Sequence, residues 1–208
     1  MKGIWVDNRT LEAVNNVVLD IMLHKHSAND KVKKNIREAL DRKDYGRALF
    51  MFLVHALALT HTQKIVSVII STPWISDIYF FYAYNPLMAS LNIGEGFSIS
   101  EILNTIAKRG SKVIIITSKF KYEDNILSKL REEFLMRLTK NVRVYYSDIV
   151  EYHQKIYGIF NCYYLHGSMN LTYKGIERAY KGGEFLNISI NDRIKTMINE
   201  LMKSIKQL

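Results

Sequence analysis

The chain has 208 residues, of which 48% are hydrophobic and 24% are charged, as in most soluble globular proteins. This composition excludes the disordered, collagenous and fibrous classes, and the length suits one domain of about 150 residues with an extension. Lysine and arginine outnumber the acidic residues by 29 to 20, and the resulting formal charge of +9 favours polyanionic partners such as nucleic acid.

Cellular location is predicted from three features. The opening residues MKGIWVDNRT have no apolar run and no small-residue cleavage site of the kind found in secretory signals. Cys162 is the single cysteine, so it cannot form an intrachain disulfide. The longest apolar stretch, 48–59, is interrupted by His55 and is shorter than the roughly 20 residues that span a bilayer. We therefore expect a cytoplasmic protein with no stable membrane association.

Residues 1–62 have apolar side chains at helical spacing and no strand pattern. A polar, lysine-rich stretch follows the first helical segment and contains a turn near Ser27, with Asn29 or Asp30 as the N-cap of the next helix. We predict two or three helices that form an accessory region at 1–62. This region either covers a face of the following domain or pairs with its copy in a dimer.

Residues 63–208 alternate short β-branched runs with amphipathic segments, which predicts an α/β domain. Ser98 and Glu101 have the spacing of a capping box, and Gly110 stands where a glycine ends the same helix. Predicted strands are 65–70, 112–117, 142–146, 155–160, 162–165 and 185–190, and further helices are predicted at 123–138 and from about 192.

The residues best suited to phosphoryl chemistry lie in the last third of the chain. His153 and Lys155 are two apart, a spacing that projects both side chains from one face of a strand. An imidazole, with an ordinary pKa of about 6.5, can attack a phosphodiester near neutral pH without a metal, and an ammonium can bind a phosphoryl oxygen. Ser168 and Asn170 can donate hydrogen bonds to the same oxygens, and Gly167 allows close approach of the backbone.

Other charged residues near this motif have supporting roles. The Glu184 carboxylate can hold a histidine ring in one tautomer and stabilise its protonated form. Lys174, Arg178 and Lys181 can steer a phosphate backbone toward His153, although exposed lysines also serve solubility alone. We predict no metal site and no cofactor.

Taken together, these residues resemble the phospholipase D superfamily signature HxKxxxxDxxxxxxGSxN. The run GSMNLTYKGI and the later Glu184 are similar to the family's GSxN loop, its T..G segment and its downstream glutamate, and STPWI around Trp74 resembles the segment after the family's first strand. The resemblance covers 64–208 and implies a phospholipase D-like mixed sheet flanked by helices, with a catalytic domain at 63–208. Phe160 stands where the family has an aspartate.

The resemblance implies a metal-independent phosphodiesterase in which His153 forms a phosphohistidine. One histidine cannot attack the phosphorus and protonate the leaving oxygen at once, and the chain has one such motif, so we expect a homodimer with a composite site. The charge favours DNA or RNA as substrate, which predicts a nuclease. The alternatives are a catalytically inactive nucleic-acid-binding protein, to which Phe160 points, and a phospholipid phosphodiesterase.

Overall fold

The structure is a computed structural model that describes residues 3–25, 27–62, 65–118, 126–147 and 155–190, together with 196, 199–200 and 203. The helices are α1 Asn8–Met22, α2 Ala28–Asp41, α3 Tyr45–His61, α4 Pro86–Ser90, α5 Ile99–Lys108, α6 Ile126–Met136 and α7 Tyr173–Tyr180. The strands are β1 Gly3–Trp5, β2 Ser67–Ser71, β3 Tyr79–Phe81, β4 Gly96–Ser98, β5 Lys112–Ser118, β6 Val142–Ser147, β7 Lys155–Ile159, β8 Tyr163–Gly167 and β9 Leu186–Ser189.

A six-stranded mixed sheet forms the centre of the fold, with the strand order β6-β5-β2-β7-β8-β9. Strands β2, β5 and β6 are parallel, whereas β7 pairs antiparallel with β2, β8 with β7, and β9 with β8. The central strands are rich in β-branched residues because both of their faces are covered. This mixed sheet with flanking helices confirms the predicted α/β class.

The N-terminal helices pack onto one face of this sheet. Nearly every residue of α3 is buried, because α3 lies between α1 and α2 on one side and α5 on the other. Apolar residues of α1, α2 and α3 share one hydrophobic core with residues of β2, β5, β7 and β8. The helical region therefore covers a face of the sheet, while the domain boundary at residue 62 stays a prediction.

Two local predictions for residues 1–62 were wrong. Residues Gly3–Trp5 form a strand that pairs in parallel with β3, and β4 completes a second, three-stranded sheet. The N-cap of α2 is Ser27, not Asn29 or Asp30, and the Ser27 side chain makes no capping hydrogen bond. The amide oxygen of Asn29 is instead 3.1 Å from Nε2 of His55.

Later elements follow the predicted pattern more closely. The capping box of α5 is confirmed, since Glu101 N donates to Ser98 Oγ and Ser98 N donates to Glu101 Oε2. Gly110, with a φ of +83°, follows the end of this helix, as a left-handed terminating glycine does.

The predicted strand at 162–165 begins one residue later than expected. Cys162 lies in the turn between β7 and β8, not in a strand, and packs half-buried against the core. Most of the helix predicted from about 192 lies outside the described residues.

His55 is a fully buried histidine that joins α3 to β8. Its Nδ1 is 3.1 Å from the Tyr163 hydroxyl and its Nε2 is 3.1 Å from Asn29 Oδ1. Because an amide oxygen only accepts, Nε2 carries the hydrogen and Nδ1 accepts from the tyrosine, which describes one neutral tautomer. Burial, with a smaller contribution from Lys33, lowers the pKa of His55 to about 3.

We expect this histidine to make stability depend on pH. The unfolded chain binds a proton on His55 below about pH 6.5 that the folded chain excludes down to about pH 3. The free energy of unfolding should therefore hold above pH 6.5 and fall by up to about 4 kcal/mol as the pH decreases toward 3. Urea denaturation from pH 7.5 to 4.5 measures the dependence, with His55→Gln as the comparison. Equal pH slopes in the two proteins would contradict it.

Candidate active site

Polar residues gather at one edge of the six-stranded sheet. The parallel strands β2, β5 and β6 end here at Ser71, Ser118 and Ser147. Ser118 pairs directly with Ser147, and Ser71 pairs with Ile116, two residues before the end of β5. The antiparallel strand β7 begins here at Lys155, which pairs with Gly167 at the end of β8. The carboxyl ends of parallel strands are where α/β sheets place ligands, so this edge is the candidate active site.

Lys155 is a buried cation at this edge. It is only 6% exposed, and it shares a sheet face with Tyr157, two residues further along β7. Burial lowers the pKa of Lys155, whereas the nearby carboxylate of Glu184 raises it. The fold thus brings together two predicted site residues that are 29 positions apart in the sequence. An ammonium with few water contacts interacts more strongly with a phosphate than an exposed one does.

The start of the GSxN loop is fixed by contact with the residue before β9. A Cβ at Gly167 would lie 2.1 Å from the carbonyl oxygen of Phe185, so only glycine allows this approach. The same carbonyl accepts hydrogen bonds from the backbone N–H groups of Ser168 and Met169, at 3.1 and 3.3 Å. The Ser168 hydroxyl oxygen accepts from Phe185 N at 3.1 Å, which leaves the hydroxyl hydrogen available to a phosphoryl oxygen.

The end of the loop is closed by a tight helix cap. Thr172 is the N-cap of α7, and its hydroxyl oxygen accepts from Gly175 N at 2.9 Å. A Cβ at Gly175 would lie 2.3 Å from the carbonyl oxygen of Asn170, so this glycine too is required by close packing. The T..G segment of the sequence therefore holds the backbone of Asn170 in place.

The Asn170 side chain contacts a residue that sequence analysis missed. Its Oδ1 is 3.2 Å from the hydroxyl of Thr72, which is fully buried in the turn after β2. Thr72 belongs to the STPWI segment, which resembles the family, but a threonine in a turn has no pattern that distinguishes a functional residue. Thr72 and Asn170 are 98 positions apart in the sequence, so their contact is visible only in the three-dimensional structure.

The three basic residues after the loop are exposed on or next to α7. Lys174 is the second residue of the helix, so it lies nearest to the GSxN loop. Arg178 lies about one turn further on, and Lys181 follows the last helical residue, about 10 Å along the axis from Lys174. Lys181 also forms an ion pair with Glu177, with 2.9 Å between Nζ and Oε1. Of the three, Lys174 is thus best placed to contact a substrate.

Two histidines are next to motif residues in the sequence, His153 two positions before Lys155 and His166 one position before Gly167. His153 lies outside the described residues, so its place beside Lys155 stays a prediction. His166 pairs with Ile156 of β7 and Asn187 of β9, which puts its side chain on the sheet face opposite to that of Lys155. Burial lowers the pKa of His166. His166 therefore does not line the same face of the site.

Phe160 is far from the candidate site. It follows the last residue of β7, five positions from Lys155, which corresponds to about 16 Å along an extended strand. Its backbone N–H donates to Ser67 O, and its ring packs against a small apolar cluster that includes Ile156 and Tyr164. The phenylalanine at the family's aspartate position consequently removes no polar group from the vicinity of Lys155.

Replacing Phe160 with the family's aspartate should therefore not raise the activity above that of the wild type. We expect Phe160→Asp to reduce the free energy of unfolding by about 3 kcal/mol, because it puts a carboxylate against apolar side chains, and to leave kcat no higher than in the wild type. Phe160→Leu is the matched control for lost ring contacts. Chemical denaturation measures the stability and a phosphodiester cleavage assay measures the activity. A gain of activity in Phe160→Asp would contradict the conclusion that residue 160 lies away from the site.

Comparison with known proteins agrees with the geometry. The family described as "Cardiolipin synthase, PLD-like domain" matches residues 77–207, about three fifths of the chain. The matched range contains all the predicted site residues but begins after the STPWI segment. No curated protein gives a significant match. Among the described helices, none combines the length and the apolar character needed to cross a bilayer. On the strength of the family match, the chain belongs to the phospholipase D superfamily.

Proposed function

We propose that this protein is a metal-independent nuclease that cleaves phosphodiester bonds of DNA or RNA as a homodimer. Membership of the phospholipase D superfamily supports phosphodiester chemistry in general. The observation that carries the proposal is the buried ammonium of Lys155, next to the Glu184 carboxylate and paired across the sheet with Gly167 at the start of the GSxN loop. This arrangement offers a cation and a hydroxyl donor to one phosphate.

In the first step, an imidazole nitrogen of His153 forms a bond to phosphorus while the bond from phosphorus to the leaving oxygen breaks. The leaving oxygen takes the electron pair of that bond and a proton from the partner subunit's His153. Lys155, Ser168 and Asn170 stabilise the charge on the non-bridging oxygens. Water then attacks phosphorus, gives its proton to the partner subunit's His153, and releases His153 from the phosphoryl group.

Nucleic acid is the substrate that the charge favours. The chain has an excess of nine positive charges, and Lys174 is exposed next to the GSxN loop, where a phosphate backbone can contact it. The printed description of the matching family names an enzyme of phospholipid chemistry, and this is the observation in favour of a phospholipid phosphodiesterase. A catalytically inactive nucleic-acid-binding protein is the third candidate.

One set of assays separates the three candidates. Fluorescently labelled DNA and RNA are incubated with the protein in EDTA, alongside His153→Ala and the control His24→Asn. His24 is exposed and has a positive φ that asparagine tolerates, so the control should keep full activity. Cleavage that is lost only in His153→Ala supports the proposal. Salt-dependent binding without cleavage, or hydrolysis of phosphatidylglycerol vesicles without nucleic-acid cleavage, would contradict it.

A further inference from the structure

The turn after β2, residues 72–76, lies directly against the GSxN loop. Thr72 N donates to Ile116 O of β5 at 3.0 Å, which ties the start of the turn to the sheet. Ile75 forms an isolated parallel bridge with Leu171, and Ser76 N donates to Leu171 O at 2.9 Å. Backbone hydrogen bonds therefore hold this turn and the segment immediately after Asn170 in a fixed relation.

Within this contact, the Thr72 hydroxyl is the group that reaches the Asn170 side chain. Thr72 is fully buried, and its Oγ1 is 3.2 Å from Asn170 Oδ1 and 3.0 Å from the carbonyl oxygen of Trp74. When the hydroxyl donates its one hydrogen to Asn170, the amide oxygen is held toward the turn. The amino group, Nδ2, is then on the other side of the carboxamide, and in the described part of the chain it donates to no protein acceptor.

We propose that Thr72 is a positioning residue that acts through Asn170. Its hydroxyl fixes the carboxamide so that Nδ2 is free to donate to a phosphoryl oxygen of the substrate. If the carboxamide were rotated by half a turn, its oxygen, Oδ1, would face the phosphoryl oxygen in place of Nδ2. Both oxygens are hydrogen-bond acceptors and would repel each other. This inference rests on the proposed phosphodiesterase function, since it needs a phosphate beside Asn170.

Other contacts hold the turn without involving Asn170, and they provide the matched control. Thr117 Oγ1 donates to Pro73 O at 3.0 Å, so this second buried threonine supports the same turn through a neighbouring carbonyl. The Arg131 guanidinium lies 5.5 Å from the centre of the Trp74 ring and donates to Ser118 O at 2.6 Å. Loss of the Thr117 hydroxyl thus weakens the turn but leaves the contact with Asn170 intact.

The first experiment compares Thr72→Val, Thr72→Ser and Thr117→Val. Thr72→Val keeps the shape of the side chain and removes the hydroxyl, so we expect kcat to fall about 30-fold with KM changed less than about threefold. Thr72→Ser keeps the hydroxyl and should retain kcat within about threefold of the wild type. Thr117→Val should lower the melting temperature about as much as Thr72→Val but preserve kcat. Equal kcat losses in Thr72→Val and Thr117→Val would overturn the inference.

A double-mutant cycle tests whether Thr72 acts through Asn170. In an Asn170→Ala background, Thr72→Val should cost almost nothing more, because the group that it positions is gone. A loss as large as that in the wild-type background would show that Thr72 acts elsewhere, and the inference would then be wrong.

Side-chain amide NMR gives a readout that does not need turnover. On titration with inorganic phosphate, the Asn170 Nδ2 signals should shift in the wild type and in Thr72→Ser but not in Thr72→Val. Absence of a shift in the wild type would overturn the inference. A wild-type protein that responds to phosphate but cleaves no phosphodiester would instead contradict the proposed function and leave the role of Thr72 supported.

Discussion

Lys155→Met is expected to lower kcat/KM for phosphodiester cleavage by about 10³-fold. The ammonium is buried beside Glu184 at the edge of the sheet where Gly167 begins the GSxN loop. In the proposed mechanism, removal of the cation leaves the charge that develops on the phosphoryl oxygens without its strongest partner. Methionine has nearly the same length as lysine and suits a buried position, so the variant should fold.

The control for this prediction is Lys112→Met. Lys112 begins β5 and is therefore at the opposite edge of the same sheet, where its side chain is exposed. Steady-state kinetics and melting temperatures of both variants make the measurement. Retention of more than about one tenth of the wild-type kcat/KM by folded Lys155→Met would contradict the assigned role.

The second large effect is expected for His153→Ala, which should reduce cleavage by at least about 10⁴-fold, because it removes both the nucleophile and the proton donor of the proposed mechanism. A phosphohistidine is a covalent intermediate and can be trapped. The DNA is labelled at both ends, so that whichever fragment keeps the phosphorus carries label. After an alkaline denaturing quench, the wild-type protein should carry label on a gel, whereas His153→Ala should carry none. Cleavage by the wild type with no labelled protein at any quench time would contradict the covalent mechanism.

Much of the fold follows from local sequence patterns. The run around Ile69 and the strand that begins at Lys112 are continuous and β-branched because they lie in the middle of a sheet covered on both faces. Ser98 and Glu101 are only three positions apart, so their capping box depends on no distant residue. These features are decided within a few residues, and the sequence therefore predicts them well.

The features that were missed depend on distant partners. Residues Gly3–Trp5 are too few to show alternation, and they form a strand because β3 offers an open edge 76 positions away. Asn29 could not be recognised as a partner of His55 from its position near a helix start, where asparagine ordinarily caps. Short segments and single polar side chains follow tertiary contacts, which no local pattern encodes.

In the candidate site, too, some features are visible in the sequence and others depend on tertiary contacts. The motif gives the residue types at Lys155, Ser168 and Glu184, since their chemistry and spacing are visible in the sequence. It does not give Thr72, whose contact with Asn170 arises only when the turn after β2 meets the GSxN loop. Nor does it reveal that Phe160 is a strand's length away from Lys155.

The proposed mechanism requires that two subunits contribute one histidine each to a single phosphate. Co-expression of differently tagged wild-type and His153→Ala chains allows the mixed dimer to be purified through both tags in turn. Each mixed dimer has one imidazole where the mechanism needs two, so its cleavage rate should be below about one hundredth of that of the wild-type dimer. A mixed dimer with about half the wild-type rate would mean that each subunit works independently, and the composite site would be wrong.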